Sequence, residues 1–135
     1  MALTDEERER YFLMAYQDHM AETLAAADAI VSRAGATSLA EISARRIPAL
    51  LIPFPYAAED HQTTNAKEYV DAGAAFLLLD ADIDGDVFLE RVSALVDDAD
   101  LRARMAQAAA GFKTADAASK LADIVLAQAT VPEPL

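Results

Sequence analysis

The chain has 135 residues, 54% of them hydrophobic and 25% charged, which is the composition of a single globular domain with a sizeable core. A formal net charge of −12 argues against nucleic acid as a partner and against direct contact with an anionic membrane. The absence of cysteine excludes disulfides, thiolate chemistry and cysteine metal sites, and no apolar run approaches the ~20 residues of a membrane span. The N-terminus is too charged for a secretion signal, so a cytoplasmic location is expected.

Met1 to Arg10 is charged and carries a helix-cap spacing, with Thr4 three residues before Glu7. Tyr11 to Tyr16 (YFLMAY) is a continuous apolar run short enough for a buried strand. Asp18 is placed to cap a helix whose apolar positions Met20, Leu24 and Ala27 fall at helical spacing. Ala29 to Ser32 reads as a short buried strand that breaks at Gly35 and restarts as a helix near Ser38. That helix ends near Arg45 and Arg46, before Ile47-Pro48. Ala49 to Pro53 (ALLIP) is a second buried strand of the series, ended by Pro53 and Pro55, neither of which fits inside a central strand. The loop Tyr56 to Asp60 leads into a helix through His61-Gln62-Thr63-Thr64-Asn65, with Gly73 as its C-cap glycine. Ala74 to Leu79 is the next strand, with Tyr69 and Leu77 to Leu79 as core, and Asp80 to Asp86 is an acidic turn. Three amphipathic helices follow: Val87 to Val96 on Phe88, Val92, Leu95 and Val96; Leu101 to Ala110 on Leu101, Met105 and Ala108; Ala115 to Gln128 on Ala117, Leu121, Ile124 and Val125. Residues 1–129 form the domain and 130–135 a disordered tail.

Strands that are apolar along their length and alternate with helices predict an α/β fold, a doubly wound, Rossmann-like parallel sheet covered on both faces. Ligands of such sheets bind outside the carboxyl ends of the strands. Three polar clusters share that rim: Tyr16-Gln17-Asp18, Arg33 to Glu41, and Tyr56 to Asn65. In the central cluster, Gly35 allows positive φ and close approach, while Ser38 and Glu41 have capping-box spacing. A strand turning at a glycine into a helix N-terminus leaves unpartnered amides at the positive end of the helix dipole, where a phosphate can bind. A purely structural turn and cap explains the same three residues, and the local pattern by itself leaves both readings standing.

The runs AAADAIVSRAGATSLAEI, IPALLIPFPYAAEDHQTTNA and AGAAFLLL, in this order and separation, closely resemble the donor-sugar half of the MurG family. These are GT-B-type bacterial N-acetylglucosaminyltransferases that convert lipid I to lipid II. The likeness runs from about Tyr11 to about Ala129, and it implies the later part of a UDP-N-acetylglucosamine-binding domain. It implies that Gly35, Ala36, Thr37 and Ser38 offer backbone and hydroxyl donors to the diphosphate. Glu41 would accept from the ribose hydroxyls, His61 and Gln62 would face the sugar with Asn65 one helical turn behind, and backbone near Gln17 would read the uracil edge. Arg33 would orient the loop or approach the nucleotide. No catalytic residue is assigned, and neither a cofactor nor a metal is implied, since two isolated histidines make no metal site.

The chain departs from the family pattern in three ways. Arg46 stands where relatives usually carry glycine, so that helix end must avoid left-handed geometry or bear roughly 1 kcal/mol of strain. Gln17 replaces a residue that is usually apolar. The N-terminal acceptor domain and the glycine-serine loop on the first donor-domain strand have no counterpart, and His19 does not replace the family's histidine near the reacting centre. The resemblance therefore implies a hexosyltransferase acting in peptidoglycan precursor synthesis, peripheral at the inner face of the membrane, whose acceptor domain lies elsewhere and without which this chain is inactive. A non-catalytic nucleotide-sugar module, or the donor subunit of a split transferase, is the alternative. In the family's sheet, Tyr11 to Tyr16 would lie two places from Ala29 to Ser32. The strand at Ala29 to Ser32 is therefore expected to be an open edge, relieved by Tyr11 to Tyr16 sliding in or, preferably, by a homodimer.

Overall fold

The structure is a computed structural model that describes residues 4–57, 61–111 and 117–128, the backbone alone at 117–121 and 128. Its elements in chain order are α1 (Asp5–Glu9), α2 (Met20–Ala26), β1 (Ile30–Ser32), α3 (Ala36–Arg45), β2 (Ala49–Leu51), α4 (His61–Asp71), β3 (Ala75–Leu77), a 3-10 turn (Asp80–Asp82), α5 (Asp86–Asp97), α6 (Ala99–Ala109) and α7 (Ala117–Gln128). The three strands form one parallel sheet in the order β1-β2-β3, with Ile30 opposite Ala49 and Ala49 opposite Ala75.

The strands divide their side chains between two cores by simple alternation. Ile30, Ala49, Leu51, Ala75 and Leu77 join Leu24 of α2, Leu39 and Ile42 of α3, and Ala66 and Tyr69 of α4 on one face. Leu50, Ile52, Phe76 and Leu78 join Phe88, Val92 and Leu95 of α5 and Leu101 and Met105 of α6 on the other. Two right-handed crossovers stepping in the same direction across a parallel sheet place α3 and α4 on the same face. The sheet is thus covered on both sides, as strands without a polar face require. Tyr69 is fully buried, and burial pushes its phenol up to about 12.

Several expectations are corrected. Tyr11 to Tyr16 is not a strand: these residues pair with no ladder, and Phe12, Leu13 and Tyr16 are about four-fifths exposed. An extended segment becomes a strand only where a neighbour offers its backbone groups, and β1, which could have done so, stands open as the sheet edge. Asp18 does not cap α2; His19 is its N-cap without a side-chain bond, and its amide donates instead to Gln17 Oε1 at 2.9 Å. The strands at 49–53 and 74–79 shorten to three residues each, leaving Leu79 exposed while Leu78 stays buried. Val96, Ile124 and Val125 are exposed, so α5 buries a narrower stripe than its pattern predicts and these α7 positions cover no core. Part of the 56–60 loop and the 130–135 tail lie outside the described residues. The Thr4–Glu7 spacing does form a reciprocal capping box, at the start of α1.

Two helix ends close alike. After α4, Gly73 takes φ 80°, its amide donates to the carbonyl of Val70 (2.8 Å), and Ala74 donates to that of Tyr69 (3.1 Å). After α3, Arg46 takes φ 56°, its amide donates to Ser43 (3.0 Å), and Ile47 donates to Ile42 (3.1 Å). Left-handed geometry suits glycine and strains a side chain with a Cβ. Arg46→Gly is therefore expected to stabilise the protein by about 1 kcal/mol, less the entropy glycine adds to the unfolded chain. An unchanged or lower denaturant midpoint would contradict this.

Candidate functional site

All three strands point their carboxyl ends at one rim, and the connections leaving that rim build the site. β1 passes through Arg33, Ala34 and Gly35 into α3. The expected capping box is absent, because the N-cap of α3 is Gly35, three residues earlier than the Ser38 that the spacing predicts. Gly35 is the N-cap at φ −63° and ψ 145°, a conformation open to any residue, so positive φ is not the reason for a glycine here. Ser38 then sits inside the first turn and Glu41 in the second, neither bonded as a cap.

The first amides of a helix have no intrahelical partner. In α1 and α6 the N-cap side chain accepts from one of them: Thr4 from the amide of Glu7, and Asp98 from that of Leu101. In α3 Gly35 brings no such acceptor, and the first turn carries no acidic residue to balance the dipole. A Cβ built on Gly35 would meet only Ser38 Oγ, at 4.0 Å, so the approach to these amides is open. Beside them, Ser32, Ser38 and Glu41 line a small cavity of about 110 Å³ with Met20, Leu24, Ile30 and Ile42.

Side chains from the second and third polar clusters tie the rim together. Gln62 Oε1 accepts from the amide of Phe54 (2.9 Å) and from that of Ala34 (3.2 Å), so one carboxamide clips the β1–α3 turn to the β2–α4 loop. Arg33 Nη1 donates to the carbonyls of Ile52 and Pro53 (3.4 Å each) and forms an ion pair with Asp80, just past β3. Its guanidinium carbon also stands 5.6 Å from the centre of the Phe54 ring. Phe54 in turn meets Tyr56 edge to face, with centroids 5.7 Å apart.

The remaining expected residues are placed as follows. His61 is the exposed first residue of α4, and Asn65 lies half-buried one turn on. Gln17 bonds locally, to His19 and to Met14, and among the described residues no hydrogen bond joins the first polar cluster to the rim. Asp80 and Phe54 are rim residues that the sequence reading left without a role. The signal for Asp80 was present: a carboxylate closing the run AAFLLL in a parallel sheet must emerge at the ligand edge. A larger cavity of about 560 Å³ opens beside it, between Pro53, Pro55, Tyr56, Thr63 and Asp80. A cavity of about 480 Å³ lined by Asp28, Arg45, Arg46 and Arg102 lies at the opposite, amino-terminal edge of the strands and is remote from this chemistry. Among the described residues, no group of three His, Asp or Glu side chains is arranged to hold a metal ion, and no helix is long and apolar enough to cross a membrane.

A parallel sheet with an uncapped helix N-terminus at its carboxyl rim defines an α/β unit suited to a phosphate-bearing ligand. Residues 2–121 match the family described as "Glycosyltransferase family 28 C-terminal domain", and the chain belongs to that family. It is 40% identical over 109 residues to a UDP-N-acetylglucosamine--N-acetylmuramyl-(pentapeptide) pyrophosphoryl-undecaprenol N-acetylglucosamine transferase of Anaeromyxobacter sp. (strain K), covering 81% of this chain and 28% of the relative. The protein of the same description from Carboxydothermus hydrogenoformans is 42% identical over 117 residues, covering 87% and 32%. Among solved structures, MurG of Acinetobacter baumannii superposes with a TM-score of 0.74 at 28% identity, over 84% of this chain and 34% of that one. The chain thus spans about a third of the length of the proteins it resembles.

Proposed function

We propose that this chain is the donor-binding part of a glycosyltransferase that takes N-acetylglucosamine from UDP-N-acetylglucosamine and passes it to a lipid-linked muramoyl-pentapeptide. The observation that carries this reading is the start of α3, where Gly35 leaves amides at a helix N-terminus without a side-chain acceptor. The diphosphate binds there, at Gly35, Ala36, Thr37 and Ser38. Glu41, a turn further along and beside the small cavity, accepts from the vicinal ribose hydroxyls. The sugar extends toward His61, Gln62 and Asn65 at the start of α4. Gln62 spends its carbonyl oxygen on the two loop amides, so its amide nitrogen is the group that faces the sugar. Backbone near Gln17 meets the uracil.

Catalysis of glycosyl transfer needs donor and acceptor held in one cleft. This chain supplies the donor wall, and the acceptor wall comes from further sequence of the same polypeptide or from a partner, on the cytoplasmic side where nucleotide sugars are available. We also propose that the open β1 edge and the exposed Tyr11 to Tyr16 segment bring two copies together. Saturation-transfer NMR on the folded chain with millimolar UDP or UDP-N-acetylglucosamine tests the donor reading. Transfer to the uracil and ribose protons is expected, and none at all would refute it.

A further inference from the structure

The donor-binding reading gives Asp80 no contact with the ligand, yet its carboxylate is built into the rim. We propose that Asp80 is a positioning residue: by holding Arg33, it sets the turn from Ser32 to Gly35 in its ligand-ready arrangement before any nucleotide arrives. This rests on the donor-binding reading for its purpose, although not for its geometry.

Arg33 follows β1 directly, and only Ala34 and Gly35 separate it from the first helical amide of α3. Its Nη1 has two carbonyl acceptors at 3.4 Å, Ile52 and Pro53, both at the long limit of a hydrogen bond. The Asp80 carboxylate is its charged partner and the stronger anchor. Ser32 Oγ donates to the Arg33 carbonyl (2.9 Å), and the Ala34 amide donates to Gln62 Oε1. Three consecutive residues leading to Gly35 are thereby held, two of them by elements that follow β2 and β3. Asp80 joins the end of β3 to the end of β1 across the intervening β2, a link the sheet ladder itself does not make. Both side chains are partly exposed, so the pair adds little to global stability and acts mainly on local order.

Hydrogen exchange on the 135-residue chain reads that local order without a ligand. Asp80→Ala should speed exchange at the Ala34 and Phe54 amides by about tenfold while leaving those of Leu50 and Leu51 unchanged. UDP affinity should fall roughly five- to tenfold, and Asp80→Glu should recover most of it. In an Arg33→Ala background, Asp80→Ala should have no further effect, because contacting residues that act as one unit are not additive. Unchanged exchange at Ala34 and Phe54, or losses of affinity that add across the two sites, would overturn the proposal. A wild-type chain that fails to bind UDP would sink the donor reading, while the exchange result would still decide the role of Asp80.

Discussion

Glu41→Ala should lower the affinity for UDP by about 1.5–3 kcal/mol, the loss of hydrogen bonds to a charged acceptor, with the fold unchanged. Glu41 is exposed on the second turn of α3 and caps nothing, so its role as half of a capping box, which would have made the substitution destabilising, is gone. An exposed substitution of this kind stays within about ±0.5 kcal/mol of stability. Gly35→Ala separates the two readings of the turn in the same way. Its φ of −63° accepts alanine, and the added Cβ meets only Ser38 Oγ at 4.0 Å. The protein should fold at a cost of roughly 0.5–1 kcal/mol at the N-cap, offset in part by the lower entropy of the unfolded chain, but on the proposed reading the new methyl stands where the diphosphate approaches the amides. Melting curves and UDP titrations of the two variants check both halves. If either variant unfolds, or if both bind UDP as tightly as the parent, the site is a structural turn.

The second large effect expected is self-association. β1 presents an unpaired backbone edge with Val31 half-exposed, and the side chains of Tyr11, Phe12, Leu13, Met14 and Tyr16 are exposed on a segment that joins no strand. An open edge is a template for another chain. Five large apolar side chains, each aromatic contributing roughly 150–250 Å², approach the ~800 Å² per partner of a stable interface. The net charge of −12 opposes association, but mainly between separated surfaces that salt screens. Sedimentation at two concentrations should show a species of twice 14.4 kDa that grows with concentration. Val31→Lys, which places a charge on the edge, should dissociate it. A concentration-independent monomer of the parent chain would refute the dimer.

Local patterns determined much of this protein. The apolar runs at Ala49 and Ala74, the glycine at 73 and the amphipathic stretches place β2, β3 and the core helices within a few residues. Their succession requires a parallel sheet, because strands without a polar face must be covered twice. The residues at the rim were also legible, since a βαβ chain brings every strand's carboxyl end to the same edge. What the tertiary structure decided depends on neighbours distant in sequence. Tyr11 to Tyr16 has the pattern of a strand yet joins no ladder, although the β1 edge stands open. Ser38 and Glu41 have the spacing of a cap, but the N-cap of α3 falls three residues earlier, at Gly35, so the first amides have no side-chain acceptor. Gln62 and Asp80 lie 28 and 47 residues from the turn they hold, Gln62 at Ala34 and Asp80 at Arg33. No local spacing encodes such contacts, because they exist only once the sheet has brought three loops to one edge.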